Sequence, residues 1–498
     1  MNDVLPPDDV DRRRIHAFAP RTGPGRYVLY WMTAQRRTTF SPALSYAVEA
    51  ARATNRPLVV FEPLDTHYRW ASERMHAFVI GGMKDNQAAF AAAGVTYLPF
   101  VAAQATSGRG LLRALARDAS VVIADLHPGF RWPTLLERAQ RDLPCPLVAI
   151  DGCGVLPLHL PTKRYHRAVD FRRLIHKAFA VDPPVFPQQN PLAGYALGQA
   201  TVDRTLIPTP DLDALSAPGG LADLPIRHDV PAVPDKPGGQ VEAERRLAAF
   251  FARLERYTER NHPDAEASSG LSPWLHFGHI GAAGIVSRLL DRYRWSPTHM
   301  RAENVAKQRG AWGMSEGAEA FLEELVTWRE LSFHTAHVDP DGHEVYDGLP
   351  AWARASLEEH ADDPREAHYD VEILARAQTH DPLWNAAQRE LVETGVMHNY
   401  LRMLWGKRVL AWTRHPREAF ETLVELNNRY ALDGRDPNSY GGIGWVFGRH
   451  DRPWGPERPI YGKIRYMTSD ATRRKLDLKT WYARWGRGEA PPPFSLGR

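Results

Sequence analysis

Three tryptophans of this chain are spaced so that an electron could pass among them. Trp405 and Trp412 stand seven residues apart in a helical stretch, 396–413, and so lie about 10 Å apart along one helix face. Trp384 belongs to the preceding helical stretch, 382–394, which a turn near Gly395 joins to theirs. An indole is large and oxidisable, so rings in near contact let an electron hop. The same spacing builds an aromatic zipper in a helical hairpin, and spacing alone favours the zipper. Glu324 and Trp328 fall at i and i+4 of FLEELVTWRE, on one face, as a partly buried surface helix would place them. Asn399 and Arg402, three apart, form a polar pair among Met, Leu and Trp. Ser268, Ser269, Gly270, Leu271 and Ser272 (SSGLS) precede a helix, where hydroxyls and backbone N–H groups suit either a diphosphate or a plain cap. Asp433 and Asp436 in LDGRDPN read as an ordinary turn.

These residues need elements to hold them. The first part of the chain alternates short apolar runs with helical stretches. Segments 27–32, 58–61, 95–101, 121–124 and 147–150 read as buried strands, with helices over 42–54, 71–93, 111–116 and 133–141. This alternation predicts a Rossmann-like parallel sheet covered on both faces. No GxGxxG follows the first strand, no Walker A sequence is present, and 455–463 (GPERPIYGK) has the wrong spacing. The sheet is therefore not expected to hold NAD or ATP in the usual manner. Residues 180–240 turn rich in Pro and turn formers and read as a surface connector. From about Val241 the pattern is helical almost to the end. Leu247, Phe250, Phe251 and Leu254 make one apolar stripe. Further helices are expected over 319–333, 382–394, 396–413 and 416–430, with Asp381–Pro382 as a start and Gly395 as a stop. The expected division is a flexible segment 1–25, an α/β domain 26–165, a connector 166–240 and an all-helical domain 241–498.

Composition narrows the field. The 498 residues suggest more than one folded unit, and 43% hydrophobic with 24% charged residues is ordinary for a globular protein. No run of about 18 apolar residues appears, so no transmembrane helix is expected. The start, MNDVLPPDDVDRRR, has no apolar signal core, which points to the cytoplasm. Cys145 and Cys153 fit neither a zinc quartet nor a disulfide framework, and no metal site is expected. A net charge of +3 does not by itself announce a nucleic-acid binder. Fifteen tryptophans, several of them among charges, are the better clue.

Three segments of the helical half resemble the FAD-binding domain of the photolyase/cryptochrome family, and most nearly the class II cyclobutane pyrimidine dimer photolyases. They are 268–283 (SSGLSPWLHFGHIGAA), 379–413 (THDPLWNAAQRELVETGVMHNYLRMLWGKRVLAWT) and 426–467 (LNNRYALDGRDPNSYGGIGWVFGRHDRPWGPERPIYGKIRYM), in the family's order. The resemblance implies FAD in the helical domain. Its diphosphate would lie in the SSGLS stretch with Tyr257, and Asn399, Arg402, Asp433 and Asp436 would stand near the flavin. Asn427 matches the asparagine that class II enzymes place beside the reactive central-ring nitrogen. Asn428 departs from the family's more usual Asp. The three tryptophans match the class II electron chain, running from the flavin through Trp405 and Trp384 to Trp412. Glu324 would hydrogen-bond a dimer's carbonyl edge, with Trp328 and Trp445 as aromatic walls. The basic run Arg449, Arg452, Arg458, Lys463, Arg465, Arg473, Arg474 and Lys475, beside such a pocket, becomes a track for phosphates, with Arg452 its representative.

The implied activity is light-driven repair of pyrimidine dimers in DNA by electron transfer from reduced FAD to a flipped-out dimer, by a monomer without sequence preference. The alternative is a cryptochrome-type flavin photoreceptor. About a dozen residues after Trp485, in place of a long tail, favour repair. A (6-4) enzyme is less expected, because it relies on a histidine pair that is not placed in the aligned pocket. The family's α/β domain carries an antenna, a deazaflavin or a folate, and neither can be assigned to this chain. Segments 125–132 and 151–160 either border such a pocket or close the sheet.

Overall fold

The computed structural model describes residues 7–18, 23–104 and 108–488. Residues 1–6 and 19–22 of the expected flexible segment, and 489–498 of the short tail, lie outside the described residues. The chain forms two compact units. The first comprises the residues up to Thr162 with Ile175–Phe250 and Leu271–Met300, and the second comprises Lys163–Leu174, Phe251–Gly270 and the chain from Arg301 on.

The first unit is built on six strands: β1 (Ile15–Ala17), β2 (Tyr27–Trp31), β3 (Leu58–Leu64), β4 (Thr96–Val101), β5 (Ala119–Leu126) and β6 (Leu147–Asp151). Their order is β1-β6-β5-β2-β3-β4, all parallel except β1, which runs antiparallel to β6. Side chains of a strand alternate between faces. Val28 and Tyr30 of β2 enter one core with Leu44, Ala47 and Val48 of α1 (Pro42–Thr54), while Leu29 and Trp31 enter the other. Helices α2 (Glu73–Ala92), α3 (Leu111–Ala116) and α4 (Trp132–Asp142) complete the alternation. Local chemistry sets the ends of α1. The Ser41 hydroxyl accepts from Leu44 N–H, Pro42 takes the first turn, and Asn55 stops it at φ 49°.

At three places the structure differs from the sequence reading. Inside the segment expected to be flexible, β1 pairs with β6, and Arg14, fully buried, donates to the carbonyls of Asp151 and Val155. Three residues of mixed polarity give no periodic signal. Inside the expected connector, Ala168–Val181 forms a helix, α5. And 271–300, expected in the helical domain, packs with the sheet unit. The Trp274, Phe277 and His279 rings lie 5.1–5.2 Å from Phe78 of α2, and Arg37 donates to the Gly278 carbonyl.

The second unit is helical. Its principal elements are α6 (Glu316–Leu322), one π-helical turn (Glu323–Trp328), α7 (Arg329–Val338), α8 (Pro382–Thr394), α9 (Asn399–Trp412), α10 (Pro416–Tyr430) and α11 (Pro437–Val446). Asp381 caps α8 by accepting from Leu383 and Trp384 N–H, and Gly395 ends it at φ 69°. Helix α9 packs against α8, α10 and α11. Among the described residues no helix is long and apolar enough to cross a membrane.

Candidate active site

Helices α8 and α9 bring the three tryptophans into one buried row. The Trp384 and Trp405 rings are parallel within 7° at 6.4 Å between centroids, and Trp384 meets Trp412 edge-on at 5.5 Å. Both outer rings touch Trp384, so it is the middle member. Hydrogen bonds hold each indole: Trp384 Nε1 donates to the Trp405 carbonyl (3.0 Å), Trp405 Nε1 to Gln388 Oε1 (2.9 Å) and Trp412 Nε1 to Glu366 Oε1 (3.1 Å). At the Trp412 end the row widens. Tyr369 and His380 each lie 5.4 Å from Trp412, and the Arg408 guanidinium lies over it at 4.6 Å. Cations over an indole face stabilise the electron-rich ring.

On α9, Arg402 forms a two-pronged pair with Asp433, at 3.0 and 3.3 Å. Asn427, buried on α10, donates to Ser439 Oγ (2.7 Å) and Asn428 Oδ1 (3.1 Å), and among the described residues its own Oδ1 takes no hydrogen bond. Asn428 is fully engaged, donating to the Tyr440 hydroxyl and accepting from Arg435 N–H. The amide that stands in for an acid is thus a structural connector between α10 and α11. Asp436 accepts from Asn438 N–H and caps α11. Tyr257 is buried against Phe321 with Arg260 over its ring, and burial pushes its hydroxyl far up. Ser268 and Gly270 are exposed and Ser269 half-buried, Gly270 with a φ of 66°, while Leu271 is buried and Ser272 opens the short helix Ser272–His276. This polar set fits a flavin nucleotide: an amide oxygen at Asn427 that takes no hydrogen bond, a fixed guanidinium at Arg402, and an exposed hydroxyl at Ser268.

A cavity of about 550 Å³ opens beside α9, lined by Asn399, Met403, Trp445, Trp454, Arg458 and Arg465, among others. Its aromatic wall alternates rings with cations. The Arg465 guanidinium lies 5.2 Å from the Trp445 centroid and 4.1 Å from that of Trp454, and Arg452 lies 4.4 Å from Trp454 on the exposed side. Asp451 ties the row together, accepting from Trp454 Nε1 (3.2 Å) and Arg465 Nε (3.3 Å). Trp454 and Arg465 were not singled out as wall residues from sequence. The one signal was a tryptophan set among charges, DRPWGPER. Arg449, read as part of the phosphate track, is buried and donates to the carbonyls of Gly342 and His343. It ties down the turn that follows α7, so Arg449 is structural.

Glu324 and Trp328 share the π-helical turn, closed by Arg329 N–H donating to the Glu324 carbonyl. Such single turns mark functional positions more often than chance. The turn separates two adjacent glutamates. Glu323 points inward to a two-pronged pair with buried Arg172, whereas Glu324 keeps about a third of its side chain exposed and accepts from Arg260 at 2.8 and 3.2 Å. Surrounding protein raises the Glu324 pKa, against the pull of Arg260. Neither Glu324 nor Trp328 lines the cavity that holds Trp445, but Asn261, next to Arg260, does. In the first unit, Asp125 Oδ2 accepts from Thr33, Ala34 and Gln35 N–H, and Asp151 from Cys153 and Leu158 N–H. Segments 125–132 and 151–160 thus begin with carboxylates that close loops, and at Thr33–Gln35 the protein's own anion fills the nest of N–H groups.

The fold is that of a photolyase. A bacterial class III photolyase from Agrobacterium tumefaciens superposes with a TM-score of 0.66 at 18% identity, over 94% of this chain and 86% of that one. No family model matches. The deoxyribodipyrimidine photo-lyase of Methanothermobacter thermautotrophicus is 34% identical over 92% of this chain and 94% of its own length. That of Oryza sativa subsp. japonica is 34% identical over 94% and 89%, and that of Potorous tridactylus 30% identical over 90% and 79%. The chain belongs to the deoxyribodipyrimidine photo-lyase family.

Proposed function

We propose that this protein repairs cyclobutane pyrimidine dimers in DNA, using light to move an electron from bound reduced FAD to a dimer turned out of the duplex. One observation carries the reading. Helix α9 sends Trp405 and Trp412 into a buried row with Trp384, and Asn399 and Met403 into the wall of an aromatic, basic cavity. An electron supply and a substrate pocket on one helix are what a light-driven redox repair site requires. The names of the relatives support the substrate.

FAD, when bound, supplies the light absorption and the electron; the chain binds, orients and screens. Ser268, Ser269 and Gly270, continued by Leu271 and Ser272, hold the diphosphate, with Tyr257 beside them. Asn399, Arg402, Asn427 and the Asp433 carboxylate would hold the ring system, and Asp436 sets the helix that carries Trp445. Trp412, Trp384 and Trp405, in that order, would form the inward path for electrons to a bound flavin. Trp445 would stack on an extracted base from the cavity wall, worth about 1–3 kcal/mol, offsetting the loss of base stacking in the duplex. Trp328, outside that cavity, would flank the lesion from the π-helical turn. Glu324, its pKa raised, can hold the proton that a base carbonyl accepts. Arg452 meets the phosphate backbone without reading sequence. The net reaction would be redox-neutral, so no reductant should be consumed. We place this work in the cytoplasm, by a monomer.

The test is illumination of a duplex carrying one dimer with chemically reduced protein, and a dark control. Dimer loss only in the light, without stoichiometric use of reductant, is expected. Photoreduction without dimer loss would instead make this a flavin photoreceptor.

A further inference from the structure

We infer that Lys407 is the positioning residue for the aromatic wall, its buried ammonium holding Trp445 at the angle from which it stacks on an extracted base. This rests on the reading of Trp445 as that wall.

Lys407 is fully buried on α9, facing the last turn of α11. The two helices approach closely here because residue 406 is glycine. A Cβ at Gly406 would meet Val446 Cγ2 at 2.6 Å. The Lys407 Nζ donates to the Val446 carbonyl, one of those a helix end leaves without an intrahelical partner. The same Nζ lies 5.7 Å from the Trp445 centroid, within cation–π reach. One ammonium therefore fixes both the main chain at the end of α11 and the ring that precedes it.

A buried ammonium is costly, and a methionine of similar length would fill the space without that cost. Packing alone does not account for the charge. The charged and titratable groups facing it come from the segment after α11: Asp451, which favours the ammonium, and Arg465, which opposes it and itself lies over Trp445. The Tyr461 hydroxyl, from the same segment, donates to the Lys407 carbonyl at 3.0 Å. Helix α11 meets the ammonium with the Val446 carbonyl and the Trp445 ring. Burial, the largest influence, brings the lysine down to about 7. The hold on Trp445 thus weakens as pH rises through neutrality.

The experiment uses FAD-loaded protein and two duplexes, one with a single cyclobutane dimer and one undamaged. Affinities are measured from about pH 6 to 8.5, spanning the lysine's titration. The parent's preference for the damaged duplex is expected to fall across this range. Lys407→Met should show about tenfold less preference at the acid end, as expected for losing a desolvated cation–π contact, and a flat profile. Lys407→Arg, charged throughout, should keep its preference to the alkaline end. Trp445→Ala is the control on the underlying reading. If it keeps the parent's preference, the wall reading falls and the role of Lys407 with it. If Trp445→Ala loses the preference while Lys407→Met keeps it, the Lys407 assignment alone is overturned. Should Lys407→Met fail to hold FAD, the parent's profile decides: a decline supports the inference and a flat line overturns it.

Discussion

The Trp384 indole lies parallel to that of Trp405 and donates its N–H to the Trp405 carbonyl, so a ring stack and a hydrogen bond fix one residue against the other. Trp412 touches Trp384 and sits two turns from Trp405 on the same helix. Without Trp384 the outer rings have a gap of about 10 Å between them.

Trp384→Phe should therefore slow steady photoreduction of oxidised flavin strongly with an external donor present, by about tenfold or more. Phenyl is far harder to oxidise. Protein reduced chemically should still repair dimers. The lost volume and the lost second hydrogen bond to the Trp405 carbonyl should cost about 1–3 kcal/mol in a denaturant melt. Unchanged photoreduction, with normal flavin content, would leave the row as a packing zipper.

Glu324→Gln should show the reverse pattern. It keeps the shape, removes the charge and frees Arg260 from its pair. Photoreduction should stay at the parental rate, and repair quantum yield should drop several-fold as the donor and the local charge at the dimer change. Flash photolysis and dimer assay on the same preparation separate the two.

Arg452 and Trp454 touch each other but should fail differently. Arg452→Ala should weaken damaged and undamaged duplex alike and lower the salt slope of binding by about one. Trp454→Ala should weaken the damaged duplex selectively, by about 1–3 kcal/mol, since a cavity-wall ring is lost. Titrations at several salt concentrations check both.

His343 makes the second unit acid-sensitive. It is buried, its Nε2–H donates to the Pro437 carbonyl at the start of α11, and burial first, then Arg449, brings its pKa down to about 3. The folded protein keeps it neutral, whereas the unfolded chain binds a proton below about 6.5. Unfolding is thus favoured progressively as pH falls from about 6.5 toward 3. At pH 5 the contribution is about 2 kcal/mol, by about 1.4 kcal/mol per unit. His343→Gln should flatten that part of the stability profile, read as denaturant midpoints at pH 7.5 and 5.

Elements with local signals were legible in advance. Helices 42–54, 382–394 and 416–430 match the structure at both ends, because Ser41–Pro42, Asp381–Pro382, Pro416 and Gly395 act within one turn of chain. The five longer strands were found because each is buried on both faces and reads as an apolar run. Strand β1 was not, since an edge strand of three residues is specified by its partner β6 and by Arg14 reaching Asp151. Helix α5 was lost among its proline-rich neighbours.

For the site, sequence by itself determined residue types, helix faces and the family resemblance. Spacing on one helix relates Trp405 to Trp412, but only the packing of α8 on α9 decides that Trp384 stands between them. Spacing likewise pairs Glu324 with Trp328, but the π-helical turn sends Glu323 inward to Arg172 and leaves Glu324 to Arg260. A run of basic residues was visible, and tertiary structure sorted it, burying Arg449 and leaving Arg452 exposed on Trp454. The reason is common to all three. Hydrogen bonds within a turn depend on neighbours in sequence, whereas ring contacts, ion pairs and burial depend on which helices cross, and that is settled by the whole core.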